Sequence, residues 1–242
     1  MPVLREWNLE LTADKVMWGQ GADPAIIRAR RPRLVELAER VIEEGLPLLE
    51  PAVSYTRYPV RELRHERLLL GPVAEDPRGA DDGPAGALLG PLVAEHLGAA
   101  QEVVVAVCTV GDRLRAYAAE ELQSDPVHGF ALEGLASAAA ETLSEAMCRR
   151  IEDDAAAAGL QASMPLNPGM IGWPTREGQQ QIFALVDAQA IGVTLRESGI
   201  MEPLKTVSFA VGLGPEMGRA GRSCDYCALR DLCRYQHRPD AH

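Results

Sequence analysis

A run of β-branched residues at 102–111 places the tightest limit on how this chain can fold. The segment EVVVAVCTVG is apolar at both alternating sets of positions and is bounded by turn residues. Such a strand is buried on both faces, so other elements must pack against it from two sides. The sequence that follows predicts a helix over 113–122 capped by Asp112, and then one long Ala-rich helix that starts after Asp125 and ends at Gly159.

The long helix is predicted to approach a sheet closely. Its small residues Gly134, Ala136 and Ala140 leave room for a neighbouring backbone. Helical periodicity predicts an inner stripe of larger side chains and alanines, consisting of Phe130, Leu135, Ala139, Leu143, Ala146 and Met147.

The rest of the chain mixes helical and extended patterns without an internal repeat. Further predicted elements are a helix over 32–49 ended by Gly45 and Pro47, extended structure over 54–71, a surface loop over 71–86, an extended segment over 160–164, a helix over 175–187, and strands over 192–197 and 205–212. Because no regular strand–helix–strand repetition is present, the predicted class is α+β, with a mixed or antiparallel sheet packed against helices.

Charge and hydropathy exclude several kinds of partner. The 242 residues carry a net charge of −11, which argues against nucleic-acid binding because phosphate contacts need a basic surface. Arginines cluster at Arg28, Arg30, Arg31 and Arg33, but acidic residues follow, as on a solvated helix face. The start of the chain lacks the pattern of a secretory signal, and the most apolar run is too short to span a bilayer. We therefore expect a cytoplasmic protein with reduced thiols.

Three cysteines and a histidine lie close together near the end of the chain. The segment SCDYCALRDLCRYQH contains Cys224, Cys227, Cys233 and His237. These ligands are suited to tetrahedral zinc as Cys3His, or to an iron–sulfur cluster with three local cysteines and a fourth ligand from elsewhere. Unliganded cysteines in a reducing compartment are the third interpretation.

The fourth cluster ligand stays open at the level of the sequence. Candidates are His237, Cys108, Cys148 or a group from outside the chain, although Cys108 and Cys148 fit equally well as buried packing residues. The other histidines offer no catalytic pattern. His65 and His96 are expected on the surface, and His128 in the first turn of the long helix.

A rigid, uncharged loop is the second distinctive stretch. PLNPGMIGWP, residues 165–174, contains three prolines and two glycines, so the backbone is open to close approach at Gly169 and Gly172. It is either a structural turn before a helix or a place where a ligand or another backbone comes close.

This loop and the sequence after it resemble a known family. ASMPLNPGMIGWP, then QQQIFALVD, then IGVTLRESGIMEPLKTVSFAVGLG resemble the activation domain of cobalamin-dependent methionine synthase, and more closely its stand-alone relatives. The resemblance covers about residues 14–214. The matching residues are Pro168, Gly169, Gly172, Pro174, Ile191, Gly192, Leu195, Glu197, Ser198, Met201, Pro203, Lys205 and Val207.

The resemblance implies the fold of that domain, a corrinoid-bearing partner, and a groove that binds S-adenosylmethionine. The residues carried over to the groove are Asn167, Pro168, Gly169, Gly172, Trp173 and Glu197, the last of which is equally well structural. Three anchors for a charged ligand differ, since Pro165, Asn167 and Met170 replace an arginine, a serine and a tyrosine. Proline cannot form the paired hydrogen bonds that arginine makes to a carboxylate.

The expected protein has an α+β domain over 1–214 and a metal-binding cysteine tail over 215–242. The leading hypothesis is an accessory protein that reactivates a corrinoid-binding protein or cobalamin-dependent methyltransferase with electrons from an iron–sulfur cluster at Cys224, Cys227 and Cys233. This hypothesis favours an iron–sulfur cluster over zinc, because a protein that reactivates a corrinoid needs low-potential electrons. The alternatives are an S-adenosylmethionine-binding reactivation domain and a zinc-stabilised binding module.

Overall fold

The computed structural model describes residues 2–72, 86–218, 223–227 and 230–232. The α-helices in these ranges are α1 (Ala13–Gly19), α2 (Pro24–Arg30), α3 (Pro32–Gly45), α4 (Pro91–Leu97), α5 (Arg113–Ser124), α6 (Pro126–Ala157) and α7 (Thr175–Leu185). The strands are β1 (Val3–Leu4), β2 (Ala52–Arg64), β3 (Arg67–Leu70), β4 (Gly86–Leu89), β5 (Glu102–Thr109), β6 (Gln161–Ala162), β7 (Thr194–Leu195), β8 (Met201–Glu202) and β9 (Thr206–Gly214). Short 3-10 helices lie at Leu46–Leu48, Ala188–Ile191, Ser223–Tyr226 and Arg230–Leu232. Most of the predicted surface loop lies outside the described residues.

An antiparallel sheet forms the centre of the fold. Its strands follow the order β4-β3-β2-β5-β9-β6, and β1 pairs with the start of β2. The central strand β5 pairs along its whole length with β2 on one side and β9 on the other. The strands β7 and β8 form a separate two-stranded ribbon. This arrangement of helices and antiparallel strands confirms the predicted α+β class.

Both faces of β5 are buried, as its sequence predicts. Val103, Val105 and Val107 point to a face covered by α4, α7 and Trp173, which we name the loop face. Val104, Ala106 and Cys108 point to the opposite face, covered by α6, which we name the helix face. The two layers bury the apolar side chains that drive folding.

The middle of α6, over 131–143, is buried on most sides, so one inner stripe does not describe it. Its first half packs against α1, α3 and α5, and its second half lies on the helix face of the sheet. A Cβ added to Gly19 would lie 2.1 Å from the carbonyl oxygen of Gly134, which shows how closely α1 approaches. The prediction is wrong at Phe130, which is 53% exposed on the solvent side of α6, although Gly129 and Ala131 beside it are buried. In the described parts of the chain, no helix has the length and apolar character needed to cross a membrane.

Candidate functional site

The Pro-Gly loop, residues 165–174, is fixed along the strand β9. The backbone of Leu166 exchanges two hydrogen bonds of 2.9 Å with Ala210. The Nδ2 atom of Asn167 donates to the carbonyl oxygen of Ser208 at 3.0 Å. The start of the loop is therefore an extension of the sheet, and Asn167 uses its amide to hold the backbone.

The centre of the Pro-Gly loop is a tight turn with two glycines at positive φ. The amide of Gly169 donates to the carbonyl of Trp173 at 2.8 Å. Gly169 has φ 106° and Gly172 has φ 90°, a region that residues with a Cβ rarely adopt. Gly169 is exposed, whereas Gly172 lies against Leu92 at the start of α4. The sequence predicts a backbone open to close approach at both glycines, and of the two Gly169 is the exposed one.

Trp173 supports the Pro-Gly loop from inside the protein. Its side chain is fully buried, and its indole N–H donates to Oε1 of Gln181 at 3.1 Å. Met170 is also buried in the cluster on the loop face, at 9% exposure. The buried side chains of Met170 and Trp173 thus fix the inner side of the loop against the core. The exposed residues of the loop are Gly169, Ile171, which is 62% exposed, and Pro174 at its end.

The cysteine tail docks on the Pro-Gly loop. The amide of Ile171 donates to the carbonyl of Tyr226 at 2.8 Å, and Met170 and Cys227 form an isolated antiparallel bridge. The hydroxyl of Ser223 also donates to the carbonyl of Pro165 at 3.3 Å. The two features that the sequence singles out as separate motifs are therefore neighbours in space.

Tyr226 packs against a histidine that the sequence interpretation placed on the surface. The rings of Tyr226 and His96 are 4.7 Å apart and nearly perpendicular, at 83°. The side chain of His96 is only 7% exposed, and within the described part of the chain its Nε2 atom has no hydrogen-bond partner, although Oε1 of Glu95 lies 3.8 Å away. The surface prediction is wrong because His96 follows Leu92 by four residues, which puts both on the inner side of α4. By contrast, His65 is exposed in the turn between β2 and β3.

Two of the four predicted metal ligands lie in the described residues. Cys224 and Cys227 are half-buried and joined by a turn in which the amide of Cys227 donates to the carbonyl of Cys224 at 3.2 Å. Cys233 and His237 lie outside the described residues. Among the residues that the structure describes, no three histidine, cysteine or acidic side chains come together as a metal site. The complete site therefore stays a prediction.

The remaining cysteines lie on the other side of the sheet. Cys108 is fully buried on the helix face, and Cys148 packs against the same cluster. Burial, followed by the nearby Cys148, raises the pKa of the Cys108 thiol well above its usual value. Tyr226 packs on the loop face, so the sheet separates Cys224 and Cys227 from both of these thiols. Neither Cys108 nor Cys148 is placed to complete a site in the cysteine tail.

Glu197 lies in the exposed turn between β7 and β8. This turn reaches the start of α7, because a Cβ on Gly199 would lie 3.1 Å from the Cα atom of Arg176. Since α7 begins directly after Pro174, the ribbon lies close to the end of the Pro-Gly loop. Arg196 and Glu202 form an ion pair across the ribbon. The arrangement is compatible with either role considered for Glu197.

Comparison with known proteins places this geometry in a described fold. No protein-family profile and no curated protein matches the chain. A solved structure described as the MetH reactivation domain bound to AdoHcy matches it with a TM-score of 0.66 at 16% sequence identity. The match covers 98% of this chain and 86% of that one. The chain therefore has the fold of the MetH reactivation domain.

Proposed function

We propose that this chain is an accessory protein of corrinoid metabolism, which reactivates a cobalamin-dependent methyltransferase by delivering electrons from an iron–sulfur cluster in its cysteine tail. Cys224, Cys227 and Cys233 would hold the cluster, with His237 or a group from outside the chain as fourth ligand. The observation that carries the proposal is the pairing of Cys227 with Met170. A metal centre bound there would lie beside the Pro-Gly loop.

The fold supports a corrinoid partner. The similar solved structure is a reactivation domain, and we carry that role over to this chain as part of the proposal. The partner would be a corrinoid-binding protein or a cobalamin-dependent methyltransferase, and the cobalamin would belong to that partner. The surface around Gly169 and Ile171 is the part of the Pro-Gly loop open to such a partner.

The choice of iron–sulfur over zinc rests on redox chemistry. Zinc has no redox activity, whereas iron–sulfur clusters cover potentials from roughly −700 to +450 mV. Arg230 is exposed and follows Cys227 by three residues, but it is paired with Asp231 at 3.2 Å, so the choice rests on the redox requirement and not on a nearby positive charge. The electron would come from an external low-potential donor and pass to the oxidised cobalt of the partner.

Metal content and the visible spectrum of protein purified without oxygen test this function. We expect a brown protein that contains iron and acid-labile sulfide. Cys227→Ala should abolish the colour, while the matched Cys148→Ala, on the opposite side of the sheet, should keep it. A colourless protein with about one zinc per chain would reject electron delivery and leave a zinc-stabilised binding module.

Binding of S-adenosylmethionine is the second candidate function, favoured by the AdoHcy in the similar solved structure. The side chains argue for weak binding, since Pro165 offers no charge and Met170 is buried. Titration of the metal-loaded protein with S-adenosylmethionine and with AdoHcy in a calorimeter tests this candidate. We expect no heat of binding at micromolar concentrations, and a micromolar dissociation constant would make the protein a ligand-dependent reactivation domain instead.

A further inference from the structure

Cys224 and Cys227 lie one turn of 3-10 helix apart. The 3-10 helix Ser223–Tyr226 starts the turn, and the amide of Cys227 donates to the carbonyl of Cys224 at 3.2 Å. In this geometry the side chains of residues three apart lie on the same side, and the backbone rises by about 6 Å between them. Disulfide bonds join residues whose Cα atoms are roughly 4.4 to 6.8 Å apart. The turn therefore brings the two sulfur atoms within reach of each other.

The backbone of this turn is held against the rest of the protein. The amide of Ile171 donates to the carbonyl of Tyr226 at 2.8 Å, and Cys227 pairs with Met170. On the other side, the amide of Arg230 donates to the carbonyl of Cys227 at 3.0 Å. These bonds restrict the turn between the two cysteines, so the folded protein favours a bond between their sulfur atoms.

The surroundings of the two cysteines suit exchange with a small solute. Both side chains are thiols and are half-buried, so solvent reaches them. Cys108, by contrast, is fully buried, and Cys148 packs against the same cluster across the sheet. Neither of these two thiols competes for a bond to the cysteine turn.

We propose that Cys224 and Cys227 form a dithiol–disulfide redox site that exchanges two electrons with a small disulfide of the glutathione class. The inference needs neither a metal nor any residue outside the described ranges, so it stands apart from the proposed function. Because the thiolate is the form that ligates metals, the closed pair cannot hold a metal until a thiol reduces it.

The exchange proceeds in two steps that balance without a further reactant. One cysteine thiolate attacks a sulfur atom of oxidised glutathione, forms a mixed disulfide and releases one glutathione thiolate. The second cysteine thiolate attacks the mixed disulfide, closes the bond between Cys224 and Cys227, and releases the other glutathione thiolate. Two electrons pass from the cysteines to glutathione, and the two cysteine protons go to the released thiolates.

Tryptic peptides distinguish the possible products. Cleavage after Arg222 and Arg230 gives one peptide, SCDYCALR, that contains both cysteines, whereas Cys233 falls in the next peptide, DLCR. Metal-free full-length protein is equilibrated with mixtures of oxidised and reduced glutathione, quenched with acid, alkylated and analysed by mass spectrometry. We expect SCDYCALR to lose the mass of two hydrogen atoms and to resist alkylation, while DLCR stays alkylated.

The same titration in urea separates a site built by the fold from any pair of cysteines close in sequence. We expect the equilibrium constant for closure to be at least about tenfold higher in the native than in the denatured protein, because a disulfide that fits the native turn stabilises it. Cys233→Ser should close as the wild type does. Cys224→Ser removes one partner and should stop at a mixed disulfide between Cys227 and glutathione.

Three results would overturn the redox site. They are equal equilibrium constants in native and denatured protein, a disulfide that mainly joins SCDYCALR to DLCR, and a wild-type protein that stops at the mixed disulfide. Failure of the proposed function gives a different result. In that case no iron–sulfur cluster forms, while the bond between Cys224 and Cys227 still closes reversibly.

Discussion

Gly178 is a residue whose role comes from contact with the Pro-Gly loop. It lies in the first half of α7, where alanine would normally be favoured by about 1 kcal/mol. A Cβ at this position would lie 2.9 Å from Cβ of Pro168 and 3.0 Å from Nε1 of Trp173. Neither neighbour can move easily, because Pro168 is a ring in a tight turn and Trp173 is held by Gln181. The absence of a side chain thus sets the distance between α7 and the loop.

We expect Gly178→Ala to lower the free energy of unfolding by about 1–2 kcal/mol. The crowding penalty in a packed interior, about 1–3 kcal/mol, exceeds the gain in helix propensity. Urea denaturation measures the effect. Gln180→Ala, at an exposed position of the same helix, is the control and should change stability by less than about 0.5 kcal/mol. A stabilised Gly178→Ala protein would show that the loop yields to the added methyl group.

Thiol reactivity provides a second prediction for single residues. Cys108 is buried and its pKa is raised, so the reactive thiolate is scarce and out of reach. In metal-free native protein, we expect iodoacetamide to modify the half-buried Cys227 at least about tenfold faster than Cys108. Mass spectrometry of timed samples gives the two rates, and denatured protein should lose the difference. Equal rates in the native protein would mean that the helix face opens often.

Sequence patterns predict the burial of a side chain well where its own strand or helix determines that burial. The burial of β5 on both faces follows from its apolar residues alone, because both faces of a central strand are covered. The predictions for Phe130 and His96 are wrong for different reasons. Phe130 lies on the solvent side of α6. His96 is buried because it shares the inner side of α4 with Leu92, where it also meets the ring of Tyr226, a residue distant in sequence.

His128 joins three helices at the element scale. Its Nε2 atom lies 2.8 Å from Oε2 of Glu44 in α3, and its Nδ1 atom lies 3.0 Å from Oε2 of Glu121 in α5. Burial disfavours the charged imidazole, but hydrogen bonds and charges from Glu121 and Glu44 outweigh it, so the pKa of His128 is raised. His128 itself lies in the first turn of α6, as predicted.

Stability should therefore depend on pH through this contact. A raised pKa in the folded state means that the contribution is complete below the unfolded value of about 6.5, and is lost as the pH rises through the folded pKa. We expect His128→Gln to cost about 1–2 kcal/mol at pH 5.5 and clearly less at pH 9, as measured by urea denaturation. The exposed His65→Gln is the control, and its effect should be small at both values. An equal cost of His128→Gln at both values would contradict the charged contact.

Element prediction succeeds where length and periodicity are strong. The helices α5, α6 and α7 and the strands β5 and β9 lie within a few residues of their predicted bounds. The short helices α1, α2 and α4 were not predicted, since seven residues show too little periodicity. The extended segment 54–71 is a hairpin, β2 and β3, whose turn contains His65 at positive φ. Such a turn lacks the Asn-Gly or Asp-Gly signal that marks hairpins in sequence.

The whole molecule should keep its fold without the cysteine tail. The described strands of the central sheet end at Gly214, and the described residues after Gly218 add the ring of Tyr226 and a few hydrogen bonds. We expect a chain ended after Gly218 to retain its far-ultraviolet circular dichroism. Its free energy of unfolding should be lower by about 1–3 kcal/mol because that burial and those bonds are lost. An unfolded product would show that the tail is part of the core and that the predicted boundary at 214 is wrong.

No local pattern predicts that the cysteine tail meets the Pro-Gly loop. Ile171 and Tyr226 are 55 residues apart in the chain, and their contact depends on the path of β9 between them. The resemblance to the methionine synthase activation domain covers residues up to about 214, so it carries no information on the tail. The sequence therefore predicts the two motifs of the candidate site, but it does not predict that they lie next to each other in the folded protein.

The pairing of β5 between β2 and β9 also sets the order in which a newly made chain can fold. The partner on one side, β2, has already been synthesised when β5 appears, but β9 does not start until Thr206. For about 100 residues of synthesis, the most apolar strand therefore has one unpaired edge, which is a surface prone to aggregation. Completion of the sheet has to wait until β9, which ends at Gly214, has left the ribosome, and such long-range pairing is slow.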